Sequence, residues 1–253
     1  MAITFVGGTT GSAQNGGNVA LSLTALLDAA GATVSAATDD LVVVAYTIGA
    51  QVDSAMSVSE AGWTEQTELY IAGTTYDSNF AVYTKVMGGT PDTTVTVVGD
   101  ANASNAVTAV AMVFRGVDTT TPLDVAIQTA TGSGTGQPNP PSITPTTAGA
   151  WIVVCGSTAA SIGIVFTVPA DLSATTNHFR SVTRADTNDS VTGIGIKTDW
   201  ASGAFDPGVW TSGTTVSTAS WAAATLALRP AAGAAATSFV GLRATDLSHI
   251  LTR

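Results

Sequence analysis

Two arginines mark where the chain could do chemistry. "AMVFRGVDTTTPLD" (111–124) runs apolar to Phe114, stops at Arg115 and Gly116, and then turns polar. "LALRP" (226–230) repeats the pattern at Arg229. A guanidinium at the mouth of a buried strand could bind a ligand carboxylate. It could also snorkel over the edge of the core or pair with a nearby acid such as Asp118 or Asp124. Other residues of catalytic type are sparse. His178 and His249 are the only histidines, and Asp186 or Asp189 could orient His178, yet nothing singles out a serine nucleophile. Glycoside hydrolysis needs two carboxylates across a cleft, and the candidate pairs Asp39–Asp40 and Glu65–Glu68 sit in turns and beside strands. "RADTNDS" (184–190) offers Asp186, Asn188 and Asp189 as oxygen ligands for calcium. It lacks the glutamate of an EF-hand loop and reads first as an Asx turn. "GSGTG" (132–136) runs into prolines rather than a helix, so it reads as a connector and not as a dinucleotide loop. No G-x-S-x-G, Walker A or H-E-x-x-H sequence occurs. These observations predict a protein that is not an enzyme and has no cofactor or metal.

Trp63, Trp200 and Trp210 lie beside Gly, Asp or Ser rather than inside apolar runs. Exposed indoles stack on sugar rings, so the three are candidate glycan platforms. The alternative is that they plug the open ends of a sheet sandwich.

The elements that hold these residues read as strands. Of eighteen acids only Glu60, Glu65 and Glu68 are glutamates, and Lys85 and Lys197 are the only lysines. Helix formers are scarce, while turn-forming Asp and β-branched Val and Thr abound. "DDLVVVAYTI" (39–48) and "NAVTAVAMVFRG" (105–116) are apolar on both faces, which predicts central strands. The expected fold is all-β: an antiparallel, jelly-roll-like sandwich over 19–230. An N-terminal arm (1–18) precedes it and a linker with a tail (231–253) follows.

The chain also rhymes with itself. "DDLVVVAY" (39–46) matches "GAWIVVCG" (149–156) at an offset of 110, and the two arginine anchors match at 114. Two related halves, 19–127 and 145–230, are expected, joined by the Gly/Pro/Ser/Thr-rich stretch 128–149. In the tail, Phe239, Leu242, Leu247, Ile250 and Leu251 hang on "AAGAAA" and are expected to dock on a neighbouring subunit or scaffold.

Charge narrows the partners. A net charge of −10 argues against a phosphate backbone and against an anionic membrane surface. The longest apolar runs are far shorter than the roughly 20 residues of a membrane span. No basic n-region with an apolar core opens the chain, so it is expected to be soluble and made in a cytoplasm. Cys155 is the only cysteine and sits in an apolar run, where a small buried hydrophobe is expected.

The ordered set "ATDDLVVVAY" (37–46), "AGWTEQTE" (61–68), "FAVYTKVM" (80–87), "AVTAVAMVFRGVDTTTPLD" (106–124), "TPTTAGAWIVVC" (144–155) and "ATLALRPA" (224–231) resembles a group of β-sandwich virion proteins. These are encoded among the structural, tail-region genes of tailed phages and prophages. The likeness covers roughly residues 37–231. It implies a non-enzymatic virion protein on the particle exterior, a tail-fibre or tail-associated module, with a capsid decoration protein or a carbohydrate-binding adhesin as alternatives. It implies partners among other virion proteins and copies of itself, with a host surface glycan as a further one, and assembly in the host cytoplasm. It carries no catalytic residues.

Overall fold

In the computed structural model, residues 2–73, 76–160, 166–173, 179–182, 189–201, 203–212 and 219–232 are described. They contain no helix and form antiparallel sheets stacked on one another.

The first half contains ten strands: β1 (Thr4–Ala13), β2 (Val19–Ser22), β3 (Leu26–Leu27), β4 (Thr33–Val34), β5 (Leu41–Ala50), β6 (Ser57–Val58), β7 (Thr64–Ile71), β8 (Asp77–Val86), β9 (Thr94–Val98) and β10 (Ala106–Arg115). The second contains β11 (Gln128–Ser133), β12 (Ala150–Ala160), β13 (Phe166–Thr167), β14 (Phe179–Val182), β15 (Asp189–Trp200), β16 (Thr211–Ser212) and β17 (Ser220–Leu228). The main sheet of the first half runs β4-β3-β1-β10-β5-β8-β7, and β2-β9-β6 covers it. The main sheet of the second half runs β11-β17-β12-β15-β14, and β13-β16 covers it. β1, β10, β5, β8 and β7 therefore correspond in order to β11, β17, β12, β15 and β14. The cover pair β6–β9 corresponds to β13–β16. Each half has jelly-roll strand order, with its first and last strands adjacent in the main sheet and the next-to-last strand in the cover.

Register agrees at single residues. Leu41 faces Phe114 as Trp151 faces Leu228. Val42 faces Lys85 as Ile152 faces Lys197. The only two lysines thus occupy equivalent sites on β8 and β15. This register also corrects the expected boundaries. Residues 4–13 are not an arm, because β1 pairs along its whole length with β10. The glycines that obscured this strand are required by close packing. A Cβ at Gly7 would lie 2.8 Å from Val34, and one at Gly11 would lie 2.6 Å from Val19. The stretch 128–149 is likewise more than a connector, since it begins with β11. The halves start at β1 and β11, not at residues 19 and 145.

The connector prolines have a further role. The carbonyl of Pro138 accepts the Trp210 amide and that of Pro141 accepts the Thr225 hydroxyl. This run thereby covers the second half where the first has β2. A proline lacks the N–H that a ladder needs, so no regular strand forms there.

The two main sheets pack face to face. Val43, Val110, Met112 and Phe114 interleave with Val153, Cys155, Leu226 and Leu228 in one continuous core. Such side chains contribute about 1.5–3 kcal/mol each when fully buried. Cys155 lies inside this layer, and burial pushes its thiol pKa up. The interface is graded along its length. At one end Phe114 meets Trp151 edge-on at 6.3 Å. Towards the other, hydroxyls take over: Thr192 bridges Thr47 and Thr108 at 2.6 and 2.8 Å, and Thr108 also reaches Ser190.

The free edge β7 carries Glu65, Gln66 and Glu68 and a register break between Glu65 and Thr67. Charge and irregularity of this kind blunt edge-to-edge pairing.

Candidate functional site

The residues of chemical interest gather at one end. β10 and β17 finish there at Arg115 and just before Arg229, β5 and β12 begin there, and β8 and β15 bring Lys85 and Lys197 to the same level. After Arg115 the chain crosses this end as 116–127, running beside the close of β17. Asp118 donates its amide to the Arg229 carbonyl, Arg229 to that of Pro122, and Ala231 to that of Gly116.

Both arginines close a buried strand, but not with the partner expected for Arg115. Its Nε and Nη2 each donate to Asp40 at 2.8 Å. The Asp40 side chain is 0% exposed while that of Arg115 is 52% exposed. Hydrogen bonding to Asp40 raises the guanidinium pKa further, so the cation is permanent. Neither Asp118 nor Asp124 partners Arg115. Asp124 belongs to Arg229, whose Nε donates to it at 3.2 Å. Asp118 instead accepts the amides of Thr120 and Thr121, which lowers its pKa. Asp124 is completely buried at the side chain. Burial opposes its ionisation, but donors from the hydroxyls and amides of Thr147 and Thr146 outweigh it and hold the pKa at about 2. Sequence alone misassigned these partners because Asp40 is distant in the chain and meets Arg115 only through the β5–β10 register.

Among the described residues, several concavities line this end. One of about 500 Å³ is bordered by Thr38, Asp39, Arg115, Asp118, Ala231 and Ala232. Another of about 500 Å³ runs between Lys85, Thr64 and the 119–123 crossing. The third, about 360 Å³, lies between Gly149, Asp199 and Pro230–Ala232. Asp39 and Asp199 both adopt left-handed backbone conformations, with φ of 67° and 49°, and both are exposed.

The three tryptophans part company. Trp210 is fully buried, so it is no sugar platform. Its indole lies over Gly156, where a Cβ would come within 2.8 Å of the ring, and meets Phe166 edge-on at 5.5 Å. Gly156 is the counterpart of Tyr46 at the 110-residue offset, so the indole fills a space that a tyrosine fills in the first half. Trp63 is half-buried against the outer core, its indole N–H buried without a partner and Lys85 6.0 Å from its ring. Trp200 is half-exposed. It packs edge-on to Phe205 at 5.0 Å, donates to the Gly203 carbonyl, and has Lys197 5.9 Å from its ring. Both lysines therefore sit by a tryptophan at the arginine end.

The proposed carboxylate pairs are not brought into catalytic opposition. Asp40 is consumed by Arg115. Glu65 accepts the Tyr83 hydroxyl, and Glu68 accepts the Met56 amide. Burial raises the Glu68 pKa. Asp189 is buried at the start of β15 rather than in a ligand loop. His178, Asp186, Asn188, His249 and the tail residues Phe239, Leu242, Leu247, Ile250 and Leu251 lie outside the described residues. Among those described, no three of His, Cys, Asp and Glu converge to hold a metal ion. No family model, no curated protein and no solved structure matches the chain.

Proposed function

We propose that the chain is a non-enzymatic structural module on the exterior of a tailed-phage particle. It is read as a tail-fibre or tail-associated piece that works with other virion proteins and with copies of itself. The observation that carries the reading is the build: two jelly-roll units back to back, with each main sheet covered on both faces. Jelly rolls recur in virus shells and in lectins. Arg115 and Arg229 are engaged by Asp40 and Asp124 where their strands close. A net charge of −10 with only two lysines helps keep copies apart before assembly. Capsid decoration would use the same properties.

Labelled antibody against the folded body, applied to purified particles, tests this. Decoration of the tail supports the tail reading and decoration of the head supports the capsid alternative. Particles that lack the protein overturn both.

One observation favours a glycan-binding role on the same body, namely the half-exposed Trp200 ring beside Lys197. In that case Trp200→Ala abolishes binding on a glycan array and leaves the melting temperature within a few degrees. An array without signal for the unmodified protein removes this role.

A further inference from the structure

β11 (Gln128–Ser133) is the outermost strand of its sheet, and among the described residues no strand pairs with its outer edge. In the first half the corresponding edge is taken, because β3 pairs with β1 at Gly8 and β4 pairs with β3. The Gly134 amide donates to the Ala219 carbonyl, which fixes the alternation of the ladder. Gln128, Ala130 and Gly132 therefore hydrogen-bond to β17, and the N–H and C=O groups of Thr129, Thr131 and Ser133 point away from it. These three residues are exposed. We propose that this edge is a docking surface for the same edge of a second copy, the two β11 strands pairing antiparallel about Thr131 into one continuous sheet. The proposal rests on the self-association named above and gives it a surface.

Three observations point to this occupant. The first is the strand itself. An open edge invites strand addition unless it is short, charged or bulged. β4 is two residues long, and β7 carries Glu65 and Glu68 and a register break. β11 pairs over six residues without a break and holds no charge and no proline. The second is charge. The chain carries a net −10, so two copies repel over most of their surface, yet no acid or base lies between Asp124 and Asp171. The β11 edge is where two copies can meet without bringing like charges together. Glu65 and Glu68 on neighbouring β7 are held on its outer-core side by Tyr83 and Met56. The third is shape. Pairing about Thr131 sets Thr129 against Ser133 of the second copy, a hydroxyl pair of the kind that stabilises neighbouring strands. It also sets Gly132 beside Ala130 of the second copy. The Trp221 ring lies over Gly132, where a Cβ would come within 2.5 Å of it, and the small Ala130 leaves that ring unobstructed.

The test uses the full chain with single cysteines on the edge. Cys155 is buried and does not compete. Two-fold pairing places Thr131 opposite its own copy at about 5.5 Å between Cα atoms, within disulfide reach, and leaves Thr129 about 14 Å from its own. Thr131→Cys should therefore form a covalent dimer about tenfold faster than Thr129→Cys, and Thr129→Cys mixed with Ser133→Cys should recover the rate. Equal rates for the two single variants overturn the proposal. Sedimentation gives an independent readout. The unmodified chain should dimerise, and Thr131→Lys, which sets two ammonium groups against each other, should weaken the dimer at least about tenfold and leave the melting temperature within a few degrees. A monomer at every concentration, or a dimer indifferent to Thr131→Lys, refutes the pairing. So does a Thr131→Cys cross-link in purified particles that reaches a different protein and never a second copy. None of these failures bears on antibody decoration of the particle, which tests the proposed function separately.

Discussion

The two halves share strand order and register but close their layers with different materials. The first half has a three-stranded cover, and Val19, Leu21, Val95 and Val97 spread its burial over several side chains. The second, among the described residues, has a two-stranded cover and includes a large aromatic, Trp210, which fills the space above Gly156. The two arginines contrast in the same way. Arg115 takes its carboxylate from the start of β5, whereas Arg229 takes its own from the chain crossing between the halves. Asp40 keeps one further donor, the Ala37 amide. Asp124 keeps four from Thr146 and Thr147. One topology therefore fixes where a strand must be closed and leaves open which residue closes it.

Replacing single residues in each half sharpens this contrast. Trp210→Ala should be the most damaging, at about 3–5 kcal/mol, since it removes the largest fully buried side chain. Leu21→Ala should cost less, because neighbouring apolar side chains can relax into the gap. Thermal or denaturant unfolding measures both, and equal losses would erase the distinction between concentrated and distributed packing. Next come the arginines. Arg115→Ala should cost about 2–3 kcal/mol because it strands the buried Asp40 with a single donor, while Arg229→Ala should cost about 1 kcal/mol. The reverse order in urea unfolding would break the comparison.

Acid titration isolates Asp124. Its pKa lies near 2 in the folded protein against an ordinary 3.8, so the unfolded chain binds its proton more readily. The stability this lends is fully present above about pH 4 and is lost as pH falls through 2, and it amounts to about 2 kcal/mol. Asp124→Asn should flatten the acid limb of the stability profile over that window. An unchanged limb would mean that the threonine donors do not hold the carboxylate ionised. The smallest effect belongs to Lys85→Met, which removes the cation of a cation–aromatic pair and of an ion pair with Asp92. It should shift stability by no more than about 1 kcal/mol.

Strand class, the central places of 41–50 and 106–115 and the rhyme between the halves were legible in the sequence. Each rests on local pattern: β-branched residues, apolar runs and their repetition along the chain. The ends of the halves were not legible. Gly11 looks like a loop residue until β2 presses against it. A structural plug was one reading of Trp210, but its seat was not legible, because a polar neighbourhood in sequence says nothing of a glycine on β12 more than fifty residues away. The arginines show the division most clearly. That Arg115 and Arg229 end buried strands follows from an apolar run meeting a cation that water must reach. Which carboxylate each would hold was decided only by register between strands distant in the chain, since ion pairing depends on separation in space and not along the sequence.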